Sequence, residues 1–290
     1  MRRLFLKIDK KYAGRTVRSL LSQELHLSSS LISKQKRVPF GITVDGVQVH
    51  TDFRSDEGQI LGVVIGASRE NFSYELPYEI LFEDDDILII NKPSGAAAHG
   101  SRYDDMAESV EDEVNRYYGN TEMYHPVSRL DRGTSGIMTI AKNGYMHERL
   151  ISMLHTDGFI RSYLGIVCGH LEEKEGTVSL PIARVEGSAI KREVRSDGQS
   201  AETCYKVLRE NEEYSLVRFI LKTGRTHQIR VHMSHLGHPL VGDWLYGKED
   251  TSIISRPALH SASLGFTHPM TNERIMLDCE MPEDMKKLIE

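Results

Sequence analysis

Cysteine is scarce in this 290-residue chain: Cys168, Cys204 and Cys279 are odd in number, widely spaced and form no CxxC pair. They read as reduced thiols of a cytoplasmic protein and argue against a disulfide framework or a cysteine-ligated metal cluster. No apolar run approaches the ~18 residues that suggest a membrane span. The opening Met1-Arg2-Arg3-Leu4-Phe5-Leu6-Lys7 resembles an export signal, but its apolar stretch stops after three residues, so no export is expected. Internal repeats, low-complexity tracts and phosphate-cradling glycine-rich loops are all missing. An excess of positive charge is missing too. The net charge is −6, which taken alone would count against a polyanion partner.

The distribution of that charge changes the picture. Residues 1–37 carry ten Lys or Arg against Asp9 and Glu24, a balance of +8, and residues 1–76 stand at +4, so the remainder is −10. A basic arm on an acidic body fits a polyanion-binding module joined to a catalytic one; a solvated surface is the plainer reading of the same run. With 39% hydrophobic and 27% charged residues, the chain is an ordinary globular one, long enough for two domains.

In chain order, residues 15–37 carry Val17, Leu20, Leu21 and Leu25 at helical spacing, and Ser28-Ser29-Ser30 offers an N-cap for a second helix. Residues 42–49 alternate through Asp45-Gly46, a hairpin signal, and residues 58–65 add a strand. Residues 66–77 lack a period and make the best linker. Two strands flank Asp84-Asp85-Asp86, and Lys92-Pro93 ends the second. Met106, Val110, Val114 and Tyr117 mark an amphipathic helix. Asn143 caps another, with Met146, Leu150, Met153 and Leu154 on its buried face and Gly158 at its end. A strand over 160–169 carries Tyr163, and further strands are predicted at 176–184, 192–195, 202–208 and 214–222. Thr226 is then placed to cap a helix bearing Ile229, Met233 and Leu236. Short helices among many strands suggest an α+β sheet, mixed and largely antiparallel.

The most informative stretch is Ser128-Arg129-Leu130-Asp131-Arg132-Gly133-Thr134-Ser135-Gly136, which runs into the apolar Ile137-Met138-Thr139-Ile140-Ala141. It puts a carboxylate on a tight turn at the mouth of a strand, among basic neighbours that favour its ionised form. Such a group is a nucleophile or a salt-bridge anchor. By the plainer reading Asp131 closes the turn and pairs with Arg132.

The wider pattern speaks for chemistry. Arg129-Leu130-Asp131 with Thr134-Ser135-Gly136 resembles the catalytic motif of the RluA-type pseudouridine synthases. Arg161-Ser162-Tyr163 through Gly169 is similar to that family's second motif, and Thr223-Gly224-Arg225-Thr226-His227 through His232 to its third. Asn91-Lys92-Pro93-Ser94-Gly95 resembles its opening turn. Gly237 through Asp243, and Leu259-His260 through His268-Pro269, also match, all in the family's order over residues 79–282. Two departures stand out: Ser128 where the family usually has His, with His125 three positions earlier, and Arg161 where it commonly has Lys.

The resemblance implies a pseudouridine-synthase catalytic sheet over 76–290. The two helices and hairpin of 1–75 resemble an S4-type RNA-binding fold, with a structural cap as the other reading. It also implies an isomerase that detaches uracil from its sugar, rotates it and rejoins it through carbon. In that chemistry Asp131 attacks, Arg230 orients it and keeps it ionised, and Tyr163 holds the flipped base. Arg129 fills the vacated stack, and Arg225, His227 and Lys92 contact substrate. The expected partner is RNA, large-subunit ribosomal or transfer, in the cytoplasm, with no membrane, no obligate protein partner and no cofactor.

Other readings of the same residues are weaker. His227, His232, His235 and His238 suggest zinc, but no HExxH, cysteine or carboxylate completes a set. A glycosidase requires a second carboxylate, and the core motif has one. A catalytically silent RNA-binding or assembly factor would need the basic arm but not Asp131, Tyr163 and Arg230 together.

Overall fold

A computed structural model describes residues 1–67, 74–100, 108–119, 123–154, 156 and 158–290. The N-terminal segment runs β1 (Arg2–Lys7), α1 (Val17–Gln23), α2 (Ser29–Gln35), β2 (Ile42–Val44), β3 (Val47–Gln48) and β4 (Ile60–Gly66). The strands form one sheet in the order β1-β4-β2-β3. Thr16 and Ser28 cap the helices by accepting from Ser19 N and Leu31 N. Asp45 and Gly46 both take positive φ, the pairing a tight two-residue hairpin needs. The alternating apolar residues of β1, β2 and β4 bury Leu4, Ile42, Val44, Leu61, Val63 and Ile65 against both helices. The sequence reading missed β1, whose mixed charged and apolar residues hide its strand period.

The rest of the chain is built on a ten-stranded sheet. Its elements are β5 (Glu79–Glu83), β6 (Ile87–Lys92), α3 (Val110–Tyr118), β7 (His125–Pro126), β8 (Ser135–Ala141), α4 (Gly144–Met153), β9 (Ile160–Cys168) and β10 (Glu175–Ser179). Then follow β11 (Ile182–Arg184), β12 (Arg192–Val194), β13 (Glu202–Glu210), β14 (Tyr214–Leu221), α5 (Gln228–His235), β15 (Leu259–Thr267), β16 (Arg274–Asp278) and α6 (Glu283–Lys286). The order is β10-β13-β14-β9-β15-β8-β6-β5, with β16 on β15 and β7 on β8; β11 and β12 form a separate ribbon. Only β15 and β8 pair in parallel among the described strands, so the sheet is mixed and largely antiparallel.

Both faces of the central strands are covered, which is why they read as continuous apolar runs. Leu88 and Ile90 of β6 lie in one core with Val114 and Tyr118 of α3 and Ile229 and Met233 of α5. Ile87 and Ile89 face α4, with Met146 and Leu150. Asn143 caps α4 as expected, accepting from Met146 N at 2.8 Å.

Some expectations need revising. The predicted strand over 176–184 is two strands, β10 and β11, because Pro181 lacks the N–H a ladder needs. The strands after residue 222 and α6 were not anticipated. Met106 and residues 68–73 of the proposed linker lie outside the described residues. The two parts of the chain also touch directly. Arg2 donates to both oxygens of the buried Asp86 at 3.1 and 2.8 Å, Ser28 Oγ donates to Glu148 at 2.8 Å, and Tyr145 of α4 enters the N-terminal core. Two cations of the basic arm are occupied internally: Arg2 as above, and Arg15 by Glu24 at 2.6 Å. No helix among the described residues is long and apolar enough to cross a membrane.

Candidate active site

Asp131 sits on the turn that feeds β8, where Thr134 N donates to Asp131 O at 3.0 Å. Behind the turn, β8 crosses β15 so closely that a Cβ on Gly136 would collide with the Ser261 backbone, and its φ is +103°. Glycine is required there on both counts.

The turn is braced from below by Lys92. Its Nζ is fully buried and donates to Pro93 O at 3.0 Å, Ala96 O at 2.8 Å and Arg132 O at 3.4 Å. Burial pushes this amine down to about 8; Asp131 opposes that and Arg256 adds to it. Lys92, expected to contact substrate, is enclosed beneath the site in this structure, where a buried ammonium satisfied by three carbonyls ties the opening Asn-Lys-Pro turn to the Asp131 loop.

The carboxylate of Asp131 is about a quarter exposed (28%) and faces two partners from the start of α5: Arg230 Nη1 at 3.4 Å and His227 Nε2 at 3.7 Å. Arg132, the sequence-adjacent candidate, directs its Nε to Gly95 O at 2.9 Å. Arg230 is itself clamped by Asp243, with Nε to Oδ2 at 2.7 Å and Nη2 to Oδ1 at 2.8 Å. Burial works against the charge on Arg230, but the bonds and charge of Asp243, with Asp131 behind, outweigh it and raise the pKa. The guanidinium also lies 5.0 Å over the Tyr246 ring. Asp243 is the second carboxylate of the site. It has no exposure and both oxygens are engaged, so it cannot serve as the free acid or base that a glycosidase needs.

His227 caps α5 in place of the predicted Thr226. It has φ +59° and no side-chain cap bond, a strained position for a non-glycine residue. Its Nδ1 shares a hydrogen bond with Tyr246 Oη at 2.9 Å. Burial lowers its pKa, with Arg230 adding to the fall and Asp131 only partly offsetting it, which favours the neutral imidazole. The other histidines of the candidate zinc set go elsewhere. His232 bonds Thr203 Oγ1 and Leu180 O, and His238 bonds Cys168 O. Among the described residues no three His, Cys, Asp or Glu side chains are placed to share an ion.

Tyr163 lies mid-way along β9, 6% exposed. Burial raises the pKa of its hydroxyl, Arg161 opposes the rise and Asp131 adds to it. Tyr163 and Asp131 line one cavity of about 710 Å³ together with Arg129, Arg161 and Arg225. Arg129 and Arg225 are exposed at its rim, and Arg225 Nε donates to Ser200 O at 2.9 Å. Arg161 is buried, with its Nε unpaired. Ser128 and His125 line the same cavity. A second cleft of about 610 Å³ meets Asp131 from the other side.

The structure therefore brings Asp131, Tyr163, Arg230, His227, Arg129 and Arg225 together and leaves Lys92 beneath them. Asp243 and Tyr246 were missed as site residues. The Gly237–Asp243 block contained the signal for Asp243, whereas nothing in the sequence paired it with Arg230.

Comparison with known proteins places the chain in a family. Residues 86–235 match the family described as RNA pseudouridylate synthase. A Bacillus subtilis (strain 168) protein named Uncharacterized RNA pseudouridine synthase YjbO is 38% identical over 289 residues, 97% of each chain. The Ribosomal large subunit pseudouridine synthase D of Zymomonas mobilis is 36% identical, covering 75% of this chain and 74% of that one. Among solved structures, Human RNA Pseudouridylate Synthase Domain Containing 1 is similar with a TM-score of 0.58 and 25% identity, over 73% of this chain and 86% of that one.

Proposed function

Because this chain belongs to the RNA pseudouridylate synthase family, RluA type, and is an RNA pseudouridine synthase, we propose that it isomerises uridines of large-subunit ribosomal RNA with Asp131 as nucleophile. The relative named as a ribosomal large-subunit synthase supports that choice of RNA; transfer RNA is the alternative substrate.

In this reading the target nucleotide leaves its stack at a cost of a few kcal/mol, and its uracil enters the cavity beside Tyr163. Asp131 attacks C1′ of the nucleoside as the bond from C1′ to N1 breaks. The freed uracil turns, C5 bonds to C1′ as the Asp131 carboxylate leaves it, and the proton lost from C5 is balanced by one gained at N1, so no redox equivalent or energy input is needed. Arg230 holds the carboxylate in line, and Asp243 holds Arg230. The raised pKa of Tyr163 keeps its phenol protonated in the resting enzyme, so it offers an aromatic face for the base. Arg129, exposed at the rim, is positioned to occupy the space the base vacates. Arg225 and His227 contact the backbone or sugar.

Residues 1–75 are read as an S4-like RNA-binding domain and 76–290 as the catalytic domain. The exposed Lys34, Lys36 and Arg37 at the end of α2 supply sequence-independent attraction to phosphate. The enzyme works in the cytoplasm on this view.

The observation that carries the proposal is an accessible carboxylate oriented by a buried, counter-clamped arginine in the cavity that holds Tyr163. The test is to map pseudouridines in RNA from cells with the gene, without it, and with Asp131→Asn only. A ribosomal site should vanish in the latter two, while the purified variant still folds and binds RNA. Conversion by Asp131→Asn near the wild-type rate would sink the mechanism.

A further inference from the structure

The cleft on the far side of Asp131 contains the chain's single tryptophan. Trp244 is 52% exposed and Ile190 is 51% exposed, and both line the same cleft as Asp131 and Arg132. Isolated exposed apolar residues are ordinary. Two large ones converging on a catalytic carboxylate are not explained by packing.

The display of Trp244 is rigid. Asp243 Oδ1 accepts from Leu245 N at 3.1 Å and Tyr246 N at 3.2 Å. The carboxylate that clamps Arg230 therefore also fixes the backbone that follows Trp244. Gly242 precedes it at φ +72°, packed against Arg256 O. The indole is exposed at the cleft rather than buried in any of the apolar cores.

We propose that this cleft seats the nucleotide next to the target uridine, with its base stacked on Trp244. The inference rests on the reading of Asp131 as the residue that meets the target's sugar. Flipping one nucleotide leaves its neighbour with an uncovered face, and proteins capture such bases on aromatic side chains, with little regard to sequence. The charge of the cleft suits RNA. Its lining includes Arg132 beside Arg230 and Arg256, the latter two clamped by Asp243 and Asp284, so Arg132 and the Lys191 and Arg192 that follow Ile190 in the chain supply the positive charge against Asp131. A protein or a second copy of this chain seated there would cover Asp131, so RNA is the occupant compatible with turnover.

With one tryptophan, the emission of the wild-type protein reports on this position alone. The probe is large-subunit ribosomal RNA purified from cells lacking the gene, with conversion of its uridines measured in parallel. Emission should be quenched saturably over the concentration range that gives conversion. Trp244→Ala should weaken binding roughly 5- to 100-fold, with the loss seen in KM more than in kcat, and Trp244→Phe should recover most of it. Conversion by the wild type with unchanged emission, or Trp244→Ala binding as tightly as wild type, overturns this inference and leaves the activity standing. Quenching by concentration of the protein alone would make the cleft a self-contact and also overturn it. Failure of the wild type to convert any RNA overturns the activity reading and this inference with it.

Discussion

Asp243→Asn is the most searching perturbation of the site, since the residue touches neither cavity yet governs one that does. In the wild type Asp243 Oδ1 receives Arg230 Nη2, Leu245 N and Tyr246 N, and Oδ2 receives Arg230 Nε. An asparagine can keep its carbonyl at the first position, but its NH2 then opposes the Nε–H of Arg230, donor against donor. A guanidinium only 6% exposed loses its counter-ion, and removing one partner of a buried pair costs roughly 3–5 kcal/mol. Unfolding entropy of about 2.1 cal/mol/K per residue over 290 residues gives about 0.6 kcal/mol/K, so Tm should fall by roughly 5–8 °C. Arg230 also loses its fixed orientation towards Asp131, and displacement of about 1 Å at a reacting group costs ~10²-fold. Turnover should therefore drop about 100-fold while RNA affinity changes far less. Calorimetry gives the first quantity, and conversion of saturating RNA against titrated RNA separates kcat from KM. Adding Arg230→Met should restore much of the lost Tm, because no unpaired charge remains buried, without restoring activity. A folded Asp243→Asn enzyme with near wild-type kcat would refute the clamp. So would a double variant whose stability losses simply add.

Two further measurements probe the brace and the basic arm. The pKa of Lys92 is pushed down to about 8 by burial from about 10.4 in the unfolded chain, so the unfolded state binds more protons between these values. Stability from this group should consequently rise as pH rises through that window, by about 2 kcal/mol between pH 7.5 and 9.5. Urea titrations of wild type and Lys92→Met at the two pH values should differ by that increment, and identical pH dependence would mean the amine is not desolvated as described. Reversing the exposed Lys34, Lys36 and Arg37 to Glu should weaken RNA binding and flatten the log–log salt slope by roughly two units, at ~0.7 per phosphate contact on single strands. An unchanged slope would make the N-terminal segment a cap.

Chemistry written into contiguous residues was legible without any structure. The Arg129-Leu130-Asp131 turn before an apolar run announces a carboxylate at a strand mouth. The Asp45-Gly46 hairpin and the Ser28 and Asn143 caps rest on interactions within three residues, which a one-dimensional pattern records. The strand expected over 160–169 likewise carried Tyr163. What depended on partners distant in sequence was not legible. Arg230 lies 99 residues from Asp131, and the side-by-side pairing of β8 with β15, with α5 packed on the sheet, brings the two together. Thr226 has the better capping propensity, yet the chain places His227 there in a left-handed conformation, where its ring meets both Asp131 and Tyr246. Lys92 shows the limit most clearly. Its place in a motif suggested contact with substrate, whereas the fold encloses it among three carbonyls, an arrangement that braces the loop bearing Asp131. Local spacing determined which groups the chain would offer for chemistry, and long-range packing decided which of them share a cavity, which carry a charge into the interior, and which hold the others in place.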